Sequence, residues 1–211
     1  MKSNIFLTSQ ISDVSQDIPR FLDIEPFNSK LLFIDTAAEV EKGDLEWLKN
    51  DRNSLVKTGF NVSDFTITGK ETLEIKEQLE EADIIFFSGG NQFHLLSQIQ
   101  QTGCADIIRD LVKKGKIYIG SSAGSIVAGP DIYPTRLIDD ANMKGNVKLY
   151  EGLGLVDFIV LPHWGSEDFR EIYLNQRLEN AYNDSEDNKL ILLKDNQYII
   201  VKDSWYKIIS V

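Results

Sequence analysis

The chain has 211 residues, 42% of them hydrophobic and 26% charged, which suits one globular domain read over residues 1–211. Its 22 basic residues against 33 acidic ones leave a net charge of −11, which disfavours a nucleic acid or an anionic membrane as partner. One cysteine (Cys104) excludes an internal disulfide, and with two histidines it cannot complete a Cys/His zinc site.

Short apolar runs alternate with amphipathic stretches along the chain. Ile5-Phe6-Leu7 and Leu31-Leu32-Phe33-Ile34 read as strands, followed by a predicted helix over 44–57 with Leu45, Leu48, Leu55 and Val56 at helical spacing. Phe65-Thr66-Ile67 reads as the third strand and 71–81 as an acidic helix. Ile84-Ile85-Phe86-Phe87 is a continuous apolar run, the pattern of a strand covered on both faces. Helices are predicted over 91–101 and 104–114, stopped by Gly103 and Gly115. Ile117-Tyr118-Ile119 and Phe158-Ile159-Val160-Leu161 read as strands, the latter followed by a helix over 166–182. No run approaches the ~18 apolar residues of a membrane span, and the start, MKSNIFLTSQ, lacks a signal-peptide core. A cytoplasmic protein is expected.

This alternation predicts an α/β fold: three layers, with a doubly wound, mostly parallel sheet between helices. The end of the chain departs from it. Leu190–Leu193, Tyr198–Val201 and Tyr206–Ile209 follow one another closely, with Lys194-Asp195-Asn196-Gln197 as a turn, and predict an antiparallel meander at one sheet edge.

Open α/β sheets place their sites beyond the carboxyl ends of their strands. After Ile117-Tyr118-Ile119 comes Gly120-Ser121-Ser122-Ala123-Gly124-Ser125, a G-x-S-x-G sequence between a predicted strand and helix. In that context Ser122 occupies a nucleophile elbow, its hydroxyl exposed on a sharp turn, with the Ala123 N–H directed at a developing oxyanion. The alternative is a small-residue turn that merely holds a phosphate. A serine nucleophile needs a base, and only His94 and His163 are available. His163 directly follows the strand Phe158–Leu161, whereas His94 lies a turn into a helix beside Phe93 and Leu95. His163 is therefore the expected base. Gly89-Gly90 follows another strand and allows close backbone approach, a second source of oxyanion donors.

The trio Ser88-Gly89-Gly90-Asn91-Gln92-Phe93, Gly120-Ser121-Ser122-Ala123-Gly124-Ser125 and Pro162-His163-Trp164 resembles the dipeptidase E group of serine peptidases. That group includes the alpha-aspartyl dipeptidases and, more distantly, the cyanophycinases. The resemblance implies a fold like the class I glutamine amidotransferases, with Ser122 as nucleophile, His163 as base, and Gly89, Gly90 and Ala123 around the oxyanion. It implies a short peptide substrate cleaved at acidic residues, and no cofactor. Asn91 and Arg170 are candidates for holding substrate, with Arg136 as a further cation suited to a carboxylate. For the orienting acid, no Asp stands at the family's distance from Ser122. Asp140 is the first choice, ahead of its neighbour Asp139 and of Glu167. An esterase and a catalytically idle binding domain are the competing functions, the latter because no acid stands at the family's position.

Overall fold

The computed structural model describes residues 4–136, 147, 149–174, 178–185, 188–203 and 205–211. Nine strands are described: β1 (Asn4–Thr8), β2 (Lys30–Ile34), β3 (Asn61–Phe65), β4 (Ile84–Phe87), β5 (Ile117–Ser121), β6 (Phe158–Leu161), β7 (Lys189–Leu192), β8 (Gln197–Lys202) and β9 (Trp205–Ser210). The described helices are α1 (Ile11–Val14), α2 (Ile18–Leu22), α3 (Glu46–Thr58), α4 (Thr72–Glu81), α5 (Gln92–Thr102), α6 (Ala105–Lys113), α7 (Ala123–Val127), α8 (Glu167–Ile172) and α9 (Leu178–Asp184). None of them is long and apolar enough to cross a membrane.

Seven strands form the main sheet in the order β3-β2-β4-β5-β1-β8-β9. The first five are parallel, and β8 and β9 join antiparallel beside β1. Side chains alternate across a strand, so each strand feeds two cores. Phe6, Phe33, Phe86, Ile119 and Tyr198 pack on one face with Ile11, Val14, Ile18 and Leu55 of α1 to α3. Leu7, Ile34, Phe87, Tyr118 and Ile199 pack on the other with Ile75, Phe93, Ile108 and Ile126 of α4 to α7. Both clusters are essentially inaccessible to water, which is why the central strands read as continuous apolar runs.

The C-terminal meander is a correction. Residues 190–193 do not join the other two strands: β7 pairs in parallel with β6 in a separate two-stranded sheet, while β8 and β9 form the hairpin at the main-sheet edge. A four-residue turn looks alike whether the chain reverses within one sheet or changes sheets, so spacing could not separate the two. The described part of 166–182 holds α8 and α9 rather than one helix. The short helices α1 and α2, after β1, were not anticipated.

Candidate active site

Register positions the site. In the parallel β1–β5 pair, Thr8 faces Ser121, so both strands end together and release Ser9 and Ser122 at the same edge. The Ser122 N–H donates to the Thr8 carbonyl at 3.0 Å, which ties the turn to β1. Ser122 then adopts φ 46° and ψ −107° before α7 begins. A non-glycine residue there costs on the order of 1–3 kcal/mol and persists only where its surroundings over-determine it.

The small residues of the elbow are required by contact. A Cβ on Gly120 would lie 2.6 Å from the Gly124 backbone, and one on Gly124 would lie 2.2 Å from the Phe87 carbonyl oxygen. The flanking serines are committed elsewhere. The single proton of Ser125 Oγ is shared between the Thr8 and Gly120 carbonyls (2.7 and 2.8 Å), and Ser121 Oγ accepts the Ile11 N–H at 3.2 Å.

Ser122 Oγ lies 2.9 Å from His163 Nε2, and His163 Nδ1 lies 2.7 Å from Asp195 Oδ1. With a carboxylate at Nδ1, that nitrogen carries the proton and Nε2 is left to accept from the Ser122 hydroxyl. His163 also has positive φ, at 61°. It is 8% exposed, and its ring stacks on Phe169 with centroids 4.2 Å apart and planes 17° from parallel. Just before it, the Tyr173 hydroxyl donates to the Pro162 carbonyl. Burial pushes the Asp195 carboxyl up, but hydrogen bonds from His163 and Ser9, with the His163 charge, outweigh this and hold it below the ordinary carboxylate range.

Two residues here escaped sequence reasoning. Asp195 comes from the turn after β7, which in sequence reads as a plain connection. Ser9 Oγ accepts the His163 N–H at 2.6 Å and donates to Asp195 Oδ1 at 2.7 Å, so one hydroxyl fixes both partners. Ser9 directly follows β1, so the strand-end rule that found Ser122 and His163 would also have found it.

Asp139 and Asp140 lie outside the described residues; among the described residues the carboxylate at His163 Nδ1 is that of Asp195. Glu167 is exposed at the start of α8. His94 is engaged elsewhere, its Nε2 lying 2.8 Å from Glu39 Oε2. Asn91 is 1% exposed and caps α5, its side-chain oxygen accepting the Phe93 and His94 N–H groups, so it serves the helix rather than the cavity. Arg136 is paired with Asp184 and lies over the Tyr133 ring, and Arg170 is exposed on α8. Gly89 borders Ser122: a Cβ there would lie 3.3 Å from Ser122 Cβ. Gly90, at φ 122°, has no room for a Cβ, which would fall 2.3 Å from the Ala37 carbonyl oxygen. Ala123 is fully buried at the first position of α7, where helix N–H groups have no acceptor within the helix.

A cavity of about 340 Å³ opens over this group, with Ser9, Gly89, Gly90, Ser122 and His163 in its wall. It can seat a small substrate beside a hydroxyl already hydrogen-bonded to a base, with backbone N–H groups at hand.

Comparison with known proteins gives a consistent result. The model of peptidase family S51 matches residues 3–209. An uncharacterized peptidase of Listeria monocytogenes serovar 1/2a is 34% identical over 181 residues, 85% of each chain. One from Pasteurella multocida is 32% identical over 79% of this chain and 80% of its own. A Drosophila melanogaster protein named as a probable alpha-aspartyl dipeptidase is 39% identical over 54% of this chain and 44% of its own. Among solved structures, a candidate peptidase E from Listeria monocytogenes EGD-e superposes with a TM-score of 0.89 at 26% identity, covering 100% of both chains.

Proposed function

From the premise that this chain belongs to peptidase family S51 and is a peptidase, we propose that it hydrolyses short peptides in the cytoplasm through Ser122, His163 and Asp195. The observation that carries this reading is the unbroken hydrogen-bonded line from Ser122 Oγ through His163 to Asp195, at 2.9 and 2.7 Å. Ser122 Oγ attacks the scissile carbonyl while His163 Nε2 takes its proton. Asp195 holds the imidazole in the tautomer this requires and stabilises the imidazolium that forms. The developing oxyanion is met by the Ala123 N–H and the backbone at Gly89-Gly90. His163 then gives its proton to the leaving amine, and water cleaves the acyl-serine by the same relay. The scaffold is read as class I glutamine amidotransferase-like, with serine in place of cysteine. A nucleophile turn after β5 in a parallel sheet supports this, as does a histidine directly after β6.

A fluorophosphonate probe tests the assignment. Ser122→Ala is expected to abolish labelling, while Ser121→Ala and Ser125→Ala keep it. Labelling of Ser122→Ala at full stoichiometry would refute it.

A further inference from the structure

The resemblance to alpha-aspartyl dipeptidases leads one to expect a cation waiting for an acidic substrate. The cavity over Ser122 is lined otherwise. Among the described residues its wall holds no Lys or Arg but three carboxylates: Glu41, Asp51 and Asp168. None of the three is in an ion pair among the described residues. Asp51 is 3% exposed, and the only polar partner shown for its carboxylate is Ser12, whose N–H donates to Oδ1 at 3.2 Å. Burial raises the Asp51 carboxyl to about 7 and raises Glu41 as well, with no cation acting against it at either. Asp13, next in line, is also raised by burial and then by Asp195. The indole of Trp47 and the ring of Phe169 complete the wall, and aromatic faces attract cations.

Unbalanced negative charge around a nucleophile repels an acidic substrate and draws a basic one. We propose, resting on the serine peptidase reading above, that this cavity takes substrates that bring a positive charge beside the scissile bond, with Glu41 and Asp168 as specificity determinants. Two groups on a peptide supply such a charge: its free α-ammonium, and a Lys or Arg side chain. Both satisfy the same carboxylates.

The test uses aminoalkyl diphenyl phosphonates, in which a serine oxygen displaces phenoxide from phosphorus and phenol departs. Four are compared by their rate of covalent attachment, read by mass spectrometry: N-acetyl-Ala, free-amine Ala, N-acetyl-Lys and N-acetyl-Asp analogues. The expected result is that the free-amine Ala or the N-acetyl-Lys reagent reacts about tenfold faster than N-acetyl-Ala, and that the Asp reagent is the slowest. The first of these outcomes identifies the ammonium as the recognised group, the second the side chain. In Glu41→Gln and Asp168→Asn, which alter half-buried and exposed positions, the ratio of cationic to neutral rates falls towards one. Equal rates for all four reagents, or fastest reaction with the Asp analogue, overturn the proposal while leaving Ser122 as nucleophile. Failure of every reagent and of a fluorophosphonate to attach at Ser122 overturns instead the serine peptidase reading on which it rests.

Discussion

His163 and Asp195 stand 32 positions apart, yet their Nδ1 and Oδ1 atoms meet at 2.7 Å because β6 and β7 run parallel and in register. Leu161 faces Leu192 across that pair, and the Leu193 N–H donates to the Leu161 carbonyl at 2.9 Å. The two strands therefore end level, and His163, two residues past β6, and Asp195, three past β7, reach the same edge. Beside them the β1–β5 pair delivers Ser9 and Ser122. Four strand ends converge on one hydrogen-bonded group.

Asp195→Asn tests the acid. Amide for carboxylate keeps the size but offers Nδ1 the wrong hydrogen-bonding partner and leaves the imidazolium uncompensated. Turnover should fall by about ten-thousandfold, as when other triads lose this group, with the circular dichroism spectrum unchanged. Glu167→Gln, at an exposed position, should alter kcat less than twofold. A mild Asp195→Asn and a severe Glu167→Gln would reverse the assignment.

Ser9→Ala removes the hydroxyl shared by the His163 N–H and the Asp195 carboxylate. Leaving that buried N–H unpaired costs about 1–3 kcal/mol and frees both groups to shift. Ser9 touches no reacting atom in the proposed mechanism, so it acts through position. The expected signature is a 10- to 100-fold loss in kcat with little change in KM, measured by steady-state kinetics. A loss confined to KM would argue against it.

The two adjacent glycines should respond differently to alanine. Gly90 combines φ 122° with a Cβ position 2.3 Å from the Ala37 carbonyl oxygen, so Gly90→Ala should lose several kcal/mol of stability in urea unfolding. At Gly89 the nearest atoms to a new Cβ are Ser122 Cβ at 3.3 Å and Trp47 Cζ3 at 3.4 Å. Gly89→Ala should fold and lose about tenfold or more in kcat, because the methyl crowds the nucleophile.

Asp51 gives a pH-dependent stability with a definite sign. Burial lifts its carboxyl from the usual range to about 7, against the lowering pull of the Ser12 hydrogen bonds, with Asp13 adding to the rise. The native chain thus holds a proton that the unfolded chain has released, and stability from this group declines as pH climbs from about 4 to about 7. Each pH unit of that window is worth up to about 1.4 kcal/mol. Asp51→Asn keeps the acceptor for the Ser12 N–H without the charge. It should match the parent protein at pH 4 and exceed it by a few kcal/mol at pH 8 in denaturant titrations. Parallel curves across that range would remove Asp51 as the source.

Local pattern carried most of the scaffold and half of the site. Continuous apolar runs announce buried parallel strands because a strand covered on both faces has no polar side to show, and β1, β2, β4, β5 and β6 were legible for that reason. Gly120-Ser121-Ser122-Ala123-Gly124 announced the elbow because close packing of Gly120 on Gly124, and of Gly124 on Phe87, tolerates no side chain. Of the two histidines, only His163 follows a strand in sequence, which is why it was the expected base. Other features lie in pairings between distant segments, which leave no local mark. The turn at Lys194–Gln197 reads the same whether β7 stays beside β8 or crosses to β6, and only the crossing brings Asp195 to His163. Ser9 becomes part of the site only because β1 and β5 end level with each other. The character of the cavity was likewise hidden, since Glu41 and Asp168 are ordinary surface residues in sequence and share one wall only when folding gathers them around Ser122.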